Sequence, residues 1–119
     1  MASHNVQVRR IYEEPLATDG IRVLVDRLWP RGVSKERAHL DEWCRAIAPS
    51  DGLRRWYGHD PRLFEEFSRR YQDELAAPEA AEVLGRLREL AEHGPLTLLT
   101  ATKEAGISEA AVLCSLINS

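Results

Sequence analysis

Apolar residues recur along the chain with two different periods, which together predict both strands and helices. Residues 6–12 place apolar side chains on one side of an extended segment, as a half-buried strand does. The largely apolar run IRVLV predicts a second strand over residues 21–26, and its character favours a central place covered on both faces. The segment PLTLLT, at residues 95–100, predicts a third strand.

Between the second and third strands, the apolar residues follow helical spacing. The first helix is predicted to begin at a capping Ser34 and to end at Pro49. A short second helix opens at Ser50 and carries Trp56 and Tyr57. The apolar face predicted for the first helix consists of Leu40, Trp43, Cys44 and Ile47.

Three further helices are predicted in the second half of the chain. Asp60-Pro61 starts the third, with a capping side chain followed by a proline in the first turn. The fourth covers residues 79–93 and ends at Gly94, and Ser108 caps the fifth.

This order of elements predicts the α/β class. We expect a small, mostly parallel sheet of about three strands covered by about five helices, in a layered, Rossmann-like architecture. The chain contains no linker or internal repeat, which predicts a single α/β domain over residues 1–119. Three strands are few for such a sheet, and a homodimer or a large helical cover would compensate.

Composition narrows the class of protein. The 119 residues are 44% hydrophobic and 29% charged, as in soluble globular proteins, and no apolar run approaches the roughly 20 residues that cross a bilayer. The first residues lack a secretory pattern, which predicts a cytoplasmic protein. A net charge of -3 argues against general nucleic-acid binding. Arginines outnumber lysines fourteen to two, which a high-GC genome would also produce.

The most distinctive stretch, DRLWPRGVSK, follows the second strand directly. Ligands of open α/β sheets bind beyond the carboxyl ends of the strands, and the third strand delivers Thr102 to the same edge if the two strands are neighbours. The cations here and the start of the helix capped by Ser34 would then form a site for a phosphate or carboxylate, with Asp26 orienting the cations or accepting from the ligand. The predicted ligand-binding residues are Arg27, Trp29, Arg31, Ser34, Lys35, Thr102 and Lys103.

The same stretch has a purely structural interpretation. Gly32 would then supply a positive φ in a turn, Trp29 would be part of the core, and Asp26 would pair with a neighbouring arginine as an architectural bridge. In that case the protein is a non-enzymatic structural or interaction module. Nucleic-acid binding ranks third, on the adjacent arginine pairs at residues 9–10, 54–55 and 69–70.

A second dense segment, WYGHDP, contains the best acid/base candidate. His59 is a candidate catalytic residue together with Asp26, while Trp56 or Tyr57 would form a stacking wall. The plainer interpretation makes His59 a surface residue before a helix cap. No nucleophile, P-loop or dinucleotide motif is present, and the scattered cysteines and histidines predict neither a disulfide, a metal site nor a cofactor.

Three segments together resemble a known family. RVLVDRLWPRGVSKERAHLDEWCRAIAPS, LRRWYGHDPRLFEEFSRRYQDEL and GPLTLLTATKE are similar, in order and spacing, to domain of unknown function 488, and more narrowly to its YeaO-like branch of small bacterial proteins. The resemblance covers residues 6–117 and implies a compact α/β domain, but supplies no reaction. The family motif falls here on Asp26, Arg27, Trp29, Pro30, Arg31, Gly32, Ser34, Lys35, Trp43, Trp56, Gly58, His59, Asp60, Pro61 and Lys103.

The chain departs from that branch in the loop before the last helix. The branch carries Asn or His-Asn there, whereas this chain reads Gly106-Ile107-Ser108-Glu109. A carboxylate at Glu109 suits a helix start but repels an anion placed beside it. We therefore expect the site to differ from that of the branch. The leading hypothesis from sequence is a protein that binds a small anionic molecule at the strand ends.

Overall fold

A computed structural model describes residues 5–118 and contains one parallel four-stranded sheet. The strands are β1 (Val6–Arg10), β2 (Ile21–Leu24), β3 (Glu42–Trp43) and β4 (Leu96–Thr100), in the order β1-β4-β2-β3. The α/β class and the three predicted strands are confirmed. The predicted strand count is one too low, because β3 pairs with the outer side of β2.

Five α-helices surround this sheet within residues 5–118. They are α1 (Lys35–Ala38), α2 (Asp51–Tyr57), α3 (Phe64–Glu74), α4 (Pro78–His93) and α5 (Glu109–Asn118). Two predicted caps are confirmed at atomic level: the Asp60 side chain accepts from the Arg62 N–H before α3, and the Ser108 hydroxyl accepts from the Ala111 N–H in α5. No helix in the described part of the chain has the length and apolar character needed to cross a membrane.

The first predicted helix is wrong over most of its length. Ser34 does cap α1, accepting from the Arg37 N–H at 3.1 Å, but the helix ends after one turn at His39, whose φ is 49°. The chain then runs beside β2, and the Cys44 N–H donates to the Leu24 carbonyl at 2.8 Å. Strand pairing and the partial burial of Trp43 thus override the helical spacing of the apolar residues.

Both faces of the two central strands are covered, as predicted for residues 21–26. Val23 and Leu98 contribute to the larger core, beneath α2 to α5, while Leu24 and Leu99 contribute to a smaller core on the opposite face. The tryptophans Trp29 and Trp43 pack against the smaller core. Because this second core lies under the loop that follows β2, it fixes the position of that loop.

A buried ion-pair network joins β1 to β2 and to the turn that precedes β2. Asp19 and Arg22 are both buried and paired with each other, and Asp19 also accepts two hydrogen bonds from Arg9. Arg22 further donates to the Ala38 carbonyl at 2.9 Å, which ties α1 to the sheet. The turn into β2 needs Gly20, since its φ is 65° and an added Cβ would lie 2.2 Å from the Pro95 carbonyl oxygen.

Candidate functional site

The carboxyl ends of the central strands open into a cleft of about 680 Å³. β2 and β4 are direct neighbours, so the segments that follow them face each other. The lining includes exposed arginines near the opening and buried or half-buried side chains at the base, among them Tyr57, Phe67 and Ser108. Residues from four further elements and loops complete it, chiefly Tyr12, Pro49, Asp51, Arg54, Arg55 and Glu109.

The structure brings together six of the nine residues predicted from sequence to be catalytic or ligand-binding. Those that line the cleft are Asp26, Arg27, Trp29, Arg31, His59 and Thr102.

Three predicted ligand-binding residues lie elsewhere. Ser34, Lys35 and Lys103 are exposed and do not line the cleft. The hydroxyl of Ser34 caps α1, and α1 is a single turn of four residues, too short to present a developed helix dipole. The start of α1 therefore does not contribute to the cleft, contrary to the prediction.

Four guanidinium groups line the cleft, and they divide into two kinds. Arg27 and Arg54 both pair with Asp51, which stands at the first turn of α2. Arg31 and Arg55 have no carboxylate partner among residues 5–118. The cleft thus holds two arginines that are neutralised by one carboxylate and two that are not.

Asp26 is held by the neighbouring strand end instead of by an arginine. Its Oδ1 accepts from the Thr100 hydroxyl at 2.8 Å and its Oδ2 accepts from the Ala101 N–H at 2.7 Å. Its own backbone carbonyl accepts from Nε1 of Trp43 at 2.8 Å. The architectural bridge between Asp26 and a neighbouring arginine is therefore absent from the described residues, and the Asp26 carboxylate is fixed at the base of the cleft.

Glu109, the first residue of α5, completes an acid pair with Asp26. Burial raises the pKa of Glu109 well above its ordinary value, and a hydrogen bond to the Asp26 side chain together with the negative charge of that carboxylate raises it further. Both side chains line the cleft, so this environment favours the neutral form of the Glu109 carboxyl there.

The loop between β2 and α1 forms one wall of the cleft. Nε1 of Trp29 donates to the Val33 carbonyl at 2.6 Å, and its ring meets Trp43 edge to face at a centroid distance of 5.3 Å. Gly32 has a φ of 74°, which confirms the predicted turn. The Tyr12 hydroxyl donates to the Arg31 carbonyl at 3.2 Å, which ties the loop to the end of β1.

His59 lies at the opening with its backbone in the left-handed region, at a φ of 57°. Its ring is 6.0 Å from that of Tyr57, centroid to centroid, and its side chain is exposed. The Tyr57 hydroxyl is committed to the Ile107 carbonyl at 2.7 Å, and burial, followed by the charges of Asp60, Glu104 and Glu109, raises the pKa of Tyr57 to about 12. Of the two predicted stacking residues, only Tyr57 lines the cleft.

The family model described as the inactive DUF488-N3 subclade matches residues 5–119. This chain belongs to that family. The match confirms the resemblance noted in the sequence. The description of the subclade as inactive concerns the family model and names no ligand.

Relatives of this DUF488-N3 chain occur in Mycobacterium and in Escherichia coli. The uncharacterized protein Rv3073c of Mycobacterium tuberculosis is 46% identical over 113 residues, covering 95% of this chain and 93% of the relative. The uncharacterized protein YeaO of Escherichia coli is 39% identical over 115 residues, covering 97% of this chain and 98% of the relative. No solved structure matches the chain.

Sequence reasoning finds Tyr57 on α2 but misses the charged cleft residues of that helix, and it identifies Glu109 on α5 only as a departure from the branch. Asp51, Arg54 and Arg55 lie on α2, and from sequence Arg54-Arg55 resembles the other surface arginine pairs. Glu109 stands out in the sequence only for the charge that it places at a helix start. Its location directly after the β4 loop is the available signal, since that loop opens at the same sheet edge as Asp26.

Proposed function

We propose that this cleft binds a small anionic molecule that bears a phosphate or carboxylate group. The observation that carries the proposal is the pair of unneutralised guanidinium groups, Arg31 and Arg55, in the same cleft as Arg27 and Arg54. An arginine fork matches two oxygens of a carboxylate or phosphate, and such charge-assisted hydrogen bonds are among the strongest available.

Charge and size both fit this class of ligand. Four guanidinium groups outnumber the three carboxyl groups of the cleft, those of Asp26, Asp51 and Glu109, which leaves an excess of positive charge. Sites for metabolite-sized molecules measure about 300–1,000 Å³. A cleft of about 680 Å³ falls in that range and is larger than an inorganic ion requires. We therefore propose that the ligand is a metabolite rather than an inorganic ion, and that the protein binds it in the cytoplasm.

The proposed activity is binding without a chemical step. The family description calls the subclade inactive, and His59, the acid/base residue suggested by sequence, is exposed at the opening with no hydrogen-bond partner among the described residues. A general acid or base is normally held by a partner that orients it. These features favour a binding protein over an enzyme.

A thermal-shift screen of phosphorylated and carboxylated metabolites tests the proposal. A ligand present at 100 times its dissociation constant should stabilise the protein by about 2.7 kcal/mol. The double variant R31Q/R55Q should lose that response. The double variant R37Q/R88Q is the matched control, because it removes the same charge from two exposed arginines outside the cleft that have no side-chain ion pair within residues 5–118.

The competing function is a non-enzymatic structural or interaction module. The pairing of Asp51 with Arg27 and Arg54 favours it, since these arginines already have a structural role. Under that interpretation, no anion produces a thermal shift, and R31Q/R55Q behaves like R37Q/R88Q throughout the screen. Such a result would remove the ligand-binding proposal.

A further inference from the structure

The cleft has two ends of opposite chemical character. The exposed end carries guanidinium groups, of which Arg31 and Arg55 lack a carboxylate partner among residues 5–118. The base carries the acid pair of Asp26 and Glu109, beside the buried Tyr57 and Phe67. A ligand that fills this space meets guanidinium hydrogen-bond donors at one end and carboxyl groups at the other.

The groups at the base do not suit an anion. No arginine or lysine within residues 5–118 forms an ion pair with Asp26 or Glu109, although both line the same cleft as four arginines. A carboxylate repels an anion, and like charges repel most strongly where water is scarce. An anionic group is therefore expected to remain at the arginine end.

The acid pair also keeps hydrogen-bonding capacity that protein groups do not use. A carboxylate has about four acceptor positions, and the side chain of Asp26 uses one on Oδ1 for Thr100 and one on Oδ2 for Ala101, besides its contact with Glu109. The Glu109 carboxyl presents a carbonyl oxygen whether or not it is protonated. The base therefore presents oxygen acceptors toward a ligand.

We infer that the cleft takes a ligand with two unlike ends, an anionic group on the arginines and a hydroxyl or amino group that donates to the Asp26–Glu109 pair. This inference rests on the proposed function, because the arginine end must first bind an anion. It adds to that function a requirement for a polar hydrogen-bond donor. It also assigns Asp26 and Glu109 as specificity-determining residues.

A series of alkyl monophosphates tests this inference by isothermal titration calorimetry. The chains run from two to six carbons, and each length is made with a terminal methyl, hydroxyl or amino group. At the length that spans the cleft, the hydroxyl or amino compound should bind the wild-type protein at least 10-fold more tightly than the methyl compound. A comparison of the affinities of the hydroxyl and amino compounds shows which donor the Asp26–Glu109 pair prefers.

Two variants of Glu109 assign the effect to the acid pair. E109Q keeps a side-chain carbonyl oxygen and should preserve the preference for the hydroxyl compound, whereas E109L removes every polar atom at that position and should reduce the preference to less than about 3-fold. Circular dichroism shows whether E109L is folded. If it is not, the comparison of methyl with hydroxyl compounds on the wild-type protein decides alone.

The outcomes separate the inference from the proposed function. If no alkyl phosphate of any kind binds, the proposed function fails. If all three end groups bind equally at every chain length, the anion site stands and the inference is overturned. The inference is likewise overturned if folded E109L keeps the full preference of the wild-type protein.

Discussion

Asp19 shows how one buried carboxylate can organise several elements. Its side chain accepts from the backbone N–H of Leu16 and pairs with Arg9 and Arg22, so it connects β1, β2 and the turn between them. Burial by itself would raise the pKa of Asp19, but the Leu16 N–H and the two arginines outweigh it and lower the pKa below the ordinary value of 3.8.

The variant D19N should lose about 3 kcal/mol of unfolding free energy, since it leaves the buried Arg22 without its counter-charge. Equilibrium urea unfolding at pH 7 measures this loss. The matched control D73N changes an exposed aspartate on α3 that forms no side-chain ion pair in the described residues, and it should shift stability by less than about 0.5 kcal/mol.

Acid provides a second check on Asp19. Because its folded-state pKa lies below the unfolded value, its stabilising contribution is fully present above pH 3.8 and is lost as pH falls through the folded-state pKa. The wild-type protein should therefore lose more stability than D19N as the pH is lowered from neutral to below that folded-state pKa. Equal losses in the two proteins would show that Asp19 is not the group responsible.

Not every residue could be assigned from sequence. Capping at Ser34, Asp60 and Ser108 was predictable because a cap depends only on its immediate neighbours. The partner of Arg27 was not, since Asp51 is distant in sequence and becomes a neighbour only when α2 packs beside the loop after β2. Ion pairs between side chains on different elements depend on how those elements pack, and this cannot be predicted from the type of each residue alone.

Among the elements, the segment after α1 is where local pattern and tertiary pairing disagree. The apolar spacing over residues 40–47 fits a helix, yet the chain forms β3 and a short 3₁₀ turn at residues 45–47. Trp43 gains both an edge-to-face contact with Trp29 and a hydrogen bond to the Asp26 carbonyl by lying beside β2. The strands of the sheet centre were predictable because burial on both faces leaves a continuous apolar run.

The variant W43F tests how strongly β3 anchors the loop that carries Arg27 and Arg31. Phenylalanine keeps an aromatic ring but loses the Nε1–H donor to the Asp26 carbonyl, so stability should fall by about 1–2 kcal/mol in equilibrium urea unfolding. The control W56F changes a more exposed tryptophan whose ring faces Arg70 and that lies outside the cleft. Equal effects of the two variants would contradict an anchoring role.

Across the molecule as a whole, strand order determines where chemistry can occur. β2 and β4 are neighbours at the centre of the sheet, so the segments that follow them share one opening, and α2 and α5 add Arg55 and Glu109 to it. The location of the cleft was predictable from the general behaviour of parallel sheets. The set of residues that line the cleft was only partly predictable, because Lys35 follows β2 and Lys103 follows β4, yet neither lines the cleft.

The proposed anion site depends on the four arginines that share this cleft. A titration of the ¹⁵N-labelled protein with inorganic phosphate, followed by amide chemical shifts, tests their role without any assumption about the rest of the ligand. We expect saturable shifts confined to residues 26–31, 54–59 and 101–109, and their loss in R31Q/R55Q but not in R37Q/R88Q. Shifts that fail to saturate, that fall on other surfaces, or that persist in R31Q/R55Q would contradict the anion site.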